Sequence, residues 1–161
     1  MKLKKSAKRG LWVIGTTLLV IIALHTFVGN PSFNHAVAEE YLENEIAWTN
    51  EGGVVTDAFK VYGGNEEEVY IWYAFEEFIT EKNDIGGGAS IAVKLIVEDG
   101  IVTDHQIPED GSLYMESMKE LFPFHIRWRM PQAIPLSLEK AIELEQSALL
   151  AAFEEEQNQN E

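Results

Sequence analysis

Val69-Tyr70-Ile71-Trp72-Tyr73-Ala74-Phe75-Glu76-Glu77-Phe78-Ile79 is apolar on two sides at once. Successive side chains of a strand point to opposite faces, so Val69, Ile71, Tyr73, Phe75 and Ile79 share one face and Tyr70, Trp72, Ala74 and Phe78 the other. Such a strand belongs in the middle of a sheet that is covered above and below. Two segments can supply the cover. From 34 to 49, Val37, Ala38, Tyr41, Leu42 and Trp48 fall near one face of a helix, which Asn50-Glu51-Gly52-Gly53 should stop. From Ser137, a suitable N-cap, Leu138, Ala141, Ile142, Ala148, Leu149, Ala152 and Phe153 recur at helical spacing, interrupted by Glu145. If the first helix covers the Tyr73 face, then Tyr70, Trp72 and Phe78 need Leu138, Ile142 and Leu149 above them. Otherwise they form an open face, and these three are the candidate residues for a ligand or partner.

The remaining strands lie on either side. Residues 54–62 are rich in β-branched and aromatic side chains and end at Gly63-Gly64-Asn65. Residues 81–90 read as a glycine-rich turn region. Ile91, Val93, Leu95 and Val97 then alternate with Ala92, Lys94, Ile96 and Glu98, and 101–107 supplies the return strand of a hairpin marked by Asp99-Gly100. A two-residue turn would put Asp104 and Gln106 on the face of Leu95 and Val97. A three-residue Glu98-Asp99-Gly100 turn puts Ile101, Thr103, His105 and Ile107 there and keeps a carboxylate out of the core, so it is preferred. Beyond Pro108-Glu109-Asp110-Gly111, Ser112 is placed to cap a short helix in which Tyr114, Met118 and Leu121 share a face, closed by Phe122-Pro123. Residues 124–135 form either a strand, with Ile126, Trp128 and Met130 against Arg127 and Arg129, or an irregular segment limited by Pro123, Pro131 and Pro135. Residues 157–161 have nothing to bury and should be frayed or disordered.

The expected architecture is α+β, with an N-terminal helix packed on a four-stranded antiparallel meander, then a short and a long helix. This order is that of cystatin-like or nuclear-transport-factor-like (NTF2-like) folds. No cystatin inhibitory loop of the Gln-x-Val-x-Gly kind is present.

The chain has 161 residues and a formal charge of -15. That balance repels phosphate backbones and disfavours nucleic acid as a partner. The absence of Cys excludes disulfides, thiolate metal sites, a Cys nucleophile and a Cys-borne lipid anchor. Charge is divided sharply. Residues 1–30 carry Lys2, Lys4, Lys5, Lys8 and Arg9 and no acid, while the rest holds 7 basic and 27 acidic residues, a balance of -20.

Residues 11–28 carry no formal charge and would span about 27 Å as a helix, close to the thickness of a bilayer core. Basic residues before them and acidic residues after them orient the body outside the membrane. Two processing outcomes compete. Ala36-Val37-Ala38 before Glu39 is an A-x-A cleavage pattern, which suits a signal peptide. The length of the apolar run and its distance from that site suit an uncleaved single-pass anchor. The chain therefore divides into a cytoplasmic tip and membrane or signal segment (1–30), an extracytoplasmic domain (34–156) and a tail. Its location is the cell membrane, N-terminus in, or the medium after cleavage near Ala38.

No assembled chemistry stands out. Gly86-Gly87-Gly88-Ala89-Ser90 lacks the following helix and the Lys-Ser or Lys-Thr pair of a phosphate loop. His25 falls in the spanning run and His35 just after it. His105 and His125 have no His-Glu-x-x-His partner for zinc, and Asp104 beside His105 points to the opposite face of a strand. Ser90 lacks the flanking glycines of a nucleophile elbow. The carboxylate runs Glu66-Glu67-Glu68, Glu76-Glu77, Glu109-Asp110 and Glu154-Glu155-Glu156 match no calcium-loop spacing. No cofactor is expected.

Gly86-Gly87-Gly88-Ala89-Ser90, Val93-Lys94-Leu95 and Pro108-Glu109-Asp110-Gly111-Ser112-Leu113-Tyr114 through Lys119-Glu120-Leu121-Phe122-Pro123, with Val69-Tyr70-Ile71-Trp72-Tyr73-Ala74 upstream, carry a likeness. Residues 54–123 resemble an uncharacterised extracytoplasmic domain of Gram-positive (Bacillus/Clostridium-type) secreted or membrane-anchored proteins. The resemblance implies a sensing or binding module and supplies no site residues. Similar domains lie at the outer end of some β-lactam-sensor-type membrane metalloproteases, but this chain has no zinc motif, so protease activity is not implied.

The expected function is a non-enzymatic extracytoplasmic binding or sensing module for a protein or small ligand. One alternative is a small enzyme using His105 with a carboxylate as acid and base, which requires both to line one cavity. Another is a calcium-dependent binding protein.

Overall fold

In the computed structural model, which describes residues 31 to 160, the doubly apolar stretch is strand β2 (Glu68–Ile79). It lies between β1 (Val54–Gly64) and β3 (Asp84–Glu98) in an antiparallel sheet of order β1-β2-β3-β4, with β4 (Ile101–Gln106) outermost. The basic tip and the spanning or signal run expected at 11–28 lie outside the described residues, and His25 with them. Among the described residues no helix is long and apolar enough to cross a membrane.

Both faces of β2 are covered by the chain itself. Helix α1 (His35–Glu45) sets Ala38 and Leu42 on Val69, Ile71, Tyr73 and Phe75, joined by Val93, Leu95, Val97 and Val102. On the other face, Tyr62, Tyr70, Trp72, Ala74 and Ala92 lie beneath three helices, α2 (Tyr114–Leu121), α3 (Phe124–Arg127) and α4 (Leu136–Asn160). Those helices contribute Met118, Phe122, Ile126, Leu138 and Ile142, and Met130 just beyond α3 completes the layer. The protein is thus an α+β sandwich of helix, sheet and helices. Each large side chain buried in these layers stabilises it by roughly 1.5–3 kcal/mol.

Several local expectations give way to tertiary contacts. Asn34 caps α1, its Oδ1 accepting from the Val37 N–H, but the helix ends at Glu45 rather than Thr49. Trp48 therefore leaves the helix and presses edge-on against Phe75, at 5.5 Å between centroids. The glycine run is not a turn. Gly87 and Gly88 pair with β2 inside β3, Gly86 is the extra residue of a bulge there, and neighbours fill the space their side chains would take. A β-carbon on Gly87 would meet the Trp48 ring at 2.8 Å, and one on Gly88 would collide with the Phe75 carbonyl.

The preferred three-residue hairpin is also corrected. Asp99 and Gly100 both adopt positive φ (53° and 78°), as a two-residue type I′ turn requires, and Glu98 pairs with Ile101. Val102 thereby faces the core opposite Val97, and Ile101 is exposed. The register then shifts between Ile96 and Val97, so that Asp104 stands opposite Ile96 and His105 opposite Leu95. A bulge, and not the turn, keeps the Asp104 carboxylate off the core face.

Ser112 makes no cap. A 3-10 turn at Gly111–Leu113 leads into α2, and Ser117 instead ties the approach, its hydroxyl accepting from the Glu109 N–H at 2.9 Å. The strand alternative for 124–135 fails, because Ile126 and Met130 turn inward at helical spacing while Trp128 is 81% exposed. Helix α4 starts at Leu136, with the Leu138 N–H on the Pro135 carbonyl, so Ser137 lies inside the first turn. It continues through residues 157–160, which were expected to fray. Its inward row is Leu138, Ile142 and then Gln146, which donates to Thr56 Oγ1 (3.0 Å) and Glu76 Oε2 (2.8 Å); Ala141, Ala148 and Ala152 face out.

Candidate functional site

The three candidate binding residues part company. Phe78 lies beside Gln146 and Leu150 of α4, and Tyr70 is covered by Phe122, its hydroxyl donating to Glu68 Oε2 at 2.6 Å. Lys94 holds the same carboxylate at 2.6 Å, and together they keep Glu68 below its ordinary pKa. Neither Tyr70 nor Phe78 forms an open partner face, because the chain's own helices occupy it. Trp72 is buried as well, at 4% exposure, but its indole is the inner wall of a cleft.

That cleft, about 650 Å³, lies between Ser90, Ile91 and Ala92 of β3, the segment from Ile107 through α2, and residues 127–134. Its volume is that of a small-ligand or side-chain-binding cavity. Trp72 Nε1 donates to Ser90 Oγ at 2.7 Å, which fixes the ring and leaves its face to the cavity. Met115, Met118 and Met130 supply flexible, polarizable walls, with Tyr114, Pro108 and Ile134 beside them. Burial raises the Tyr114 pKa, so this hydroxyl stays protonated. The polar groups are Ser90, Asp110, Gln132 and Arg127. Arg127 Nε is buried and has no hydrogen-bond partner among the described residues, while its guanidinium carbon lies 6.0 Å from the Phe124 ring centroid. The Arg127 guanidinium adds a permanent positive charge to the cleft wall, which the Asp110 carboxylate shares.

Ser90, His105 and Asp104 do not converge on one cavity. Ser90 lines the cleft on the Trp72 side of the sheet, whereas His105 lies on the α1 side with Nδ1 3.0 Å from the Tyr41 hydroxyl. Asp104 Oδ1 accepts the backbone N–H of His105 and points away from its ring. Among the described residues, no group of three or more His, Asp or Glu side chains is arranged to hold a metal ion.

A buried and a half-buried carboxylate lie elsewhere. Glu77, 0% exposed, accepts three backbone N–H bonds from the loop before β1: Asn50 at 2.7 Å, Glu51 at 2.8 Å and Gly53 at 2.9 Å. These bonds hold its pKa below the ordinary value despite burial. Asp57 accepts from Tyr73 Oη at 2.6 Å; burial pushes its pKa up to about 6, with the charges of Glu145, Glu43 and Glu39 adding to the rise and the Tyr73 bond opposing it.

In sequence, Met118 reads as part of a short capped helix and Arg127 and Met130 as part of an ambiguous stretch, none of them as a cleft residue. A signal was present, since three of the four methionines fall within residues 115–130. Compared with known proteins, the chain matches no family model, no curated protein and no solved structure.

Proposed function

We propose that this protein is a non-enzymatic extracytoplasmic binding or sensing module, tethered outside a Gram-positive-type cell by residues 11–28, with the cleft beside Trp72 as its ligand seat. The observation that carries the reading is the cleft itself: a methionine-lined cavity with one buried, unpartnered arginine nitrogen and no acid-base pair converging on it. The separation of Ser90 from His105 by the sheet weighs against the enzyme alternative. The finer likeness, cystatin-like or NTF2-like, rests on α1 lying across the meander against β1 and β4.

Ala38 supports the uncleaved anchor over the signal peptide. It is fully buried in the first turn of α1, and a cut after it would remove that turn of a core helix, the Asn34 cap and the Asn34 N–H bond to the Gly100 carbonyl (3.1 Å). N-terminal sequencing of protein recovered from cells and medium should give a start upstream of residue 31; a start at Glu39 would reject the anchor. The ligand seat is tested by a thermal-shift series of straight-chain monocarboxylates from hexanoate to tetradecanoate. A raised midpoint in the native chain that is lost in Arg127→Gln supports the reading. If neither these acids nor any peptide shifts the midpoint, the cleft has no ligand role.

A further inference from the structure

The outer edge of β3 is open along half its length. β4 covers it only from Lys94 to Glu98, whereas β2 pairs with β3 from Asp84 onward. Among the described residues, no backbone group bonds to residues 86–93 on the side away from β2. Ala92 and Val93 are buried, so the accessible edge is the six residues 86–91, about 20 Å long.

Sheets of folded proteins protect such edges with charge, proline or cover. The outer edge of β1 follows that rule, carrying Asp57 and Lys60, with Glu145 Oε2 accepting the Asp57 N–H at 3.1 Å. β4 is short and carries Asp104. Residues 86–93, Gly-Gly-Gly-Ala-Ser-Ile-Ala-Val, have neither charge nor proline. Their small side chains leave the backbone accessible to another strand.

Two hollows follow the same edge. The cleft beside Trp72 reaches Ser90, Ile91 and Ala92, and a second of about 430 Å³ is lined by Gly87, Gly88, Ala89 and Ser90, with Ile134 common to both. A strand laid against β3 would carry residues i and i+2 on one face about 7 Å apart, so alternate side chains could enter the two hollows in succession. Arg127 in the larger one offers a cation to a carboxylate. A small amphipathic anion would satisfy Arg127 and leave the edge bare, whereas a peptide satisfies both.

We infer that the occupant is an extended peptide that adds to β3 as a further antiparallel strand along residues 86–91, with apolar side chains in the hollows and one carboxylate on Arg127. This deepens the binding reading proposed above and rests on it.

The test selects nine-residue peptides from a random bead-displayed library on the full-length chain. Selected sequences are resynthesised with N-methyl groups at single amides and with their carboxylates amidated. N-methylation at one alternating set of positions should abolish binding and at the other set leave it largely intact, and amide exchange at residues 86–91 should slow when peptide is added. Arg127→Gln should weaken carboxylate-bearing peptides roughly tenfold or more and leave the amidated ones unchanged. A selected peptide that slows exchange only at residues 107–118 overturns strand addition and leaves the ligand seat standing. If no peptide is selected while decanoate still raises the unfolding midpoint, the peptide class alone is overturned. A concentration-dependent dimer that protects residues 86–91 without peptide assigns the edge to a second copy and overturns the inference. If neither probe binds, the binding reading falls with it.

Discussion

A β-carbon on Gly86 would stand 2.6 Å from Oε2 of Glu77, so the missing side chain of one strand is the room occupied by the buried carboxylate of the next. Beside it, Gly87 makes the same allowance for the Trp48 ring. Gly87→Ala should cost about 1–3 kcal/mol, because the indole has to shift off Phe75. Gly88→Ala should cost more, since its obstacle is the Phe75 carbonyl rather than a side chain. Urea unfolding midpoints order the two; equal midpoints would mean that neither contact is tight.

Glu77→Gln replaces a carboxylate oxygen with an amide donor that faces N–H groups. The loop should loosen, seen as faster amide exchange at Asn50, Glu51 and Gly53 with β2 itself still protected. The folded pKa of Glu77 lies below its unfolded value, so its contribution is present above the unfolded pKa and lost as pH falls through the folded one. Acid unfolding should therefore be less steep in the variant than in the native protein.

Asp57 has the opposite sign. Its pKa rises from 3.8 to about 6 on folding, so between those values the folded state binds more protons than the unfolded one. Stability falls as pH rises through this window. Asp57→Asn retains an acceptor for the Tyr73 hydroxyl, should flatten the fall, and should raise stability at pH 7.5 by on the order of 1 kcal/mol after solvent screening. Unfolding midpoints at pH 4.5 and 7.5 give the comparison; a variant less stable than the native protein at both would refute it.

Trp72→Phe should cost about 1 kcal/mol from the lost bond to Ser90, whose exposed hydroxyl can turn to water. It should also weaken any cleft ligand, because the aromatic wall is shortened. Denaturant unfolding and calorimetric titration with decanoate separate these two effects.

Leu42→Ala should lose about 2–5 kcal/mol, since this side chain is fully enclosed between α1 and the sheet. Leu144→Ala, on the outward face of α4, should stay within about 0.5 kcal/mol of the native protein. Thermal melts of the two variants separate an enclosed leucine of α1 from an outward-facing leucine of α4.

The sequence by itself determined the layering. The double alternation of 69–79 required cover on both sides, and the periodic stretches around Leu42 and Leu138 were the elements able to supply it, because burial of apolar surface is the dominant drive and its period is written locally. It also showed the charge division at residue 30. Tertiary structure decided what local rules could not rank. A Gly-Gly-Gly run reads as a loop until Glu77 and Trp48 arrive to fill it. Asp99-Gly100 takes the turn its own conformational preference favours, and a bulge at Ile96 and Val97 then moves Asp104 off the core face. Arg127, a surface cation by composition, lines a cleft because α3 turns Ile126 and Met130 inward beside it. These outcomes depend on partners far away in the chain, whose positions are set only when the layers close.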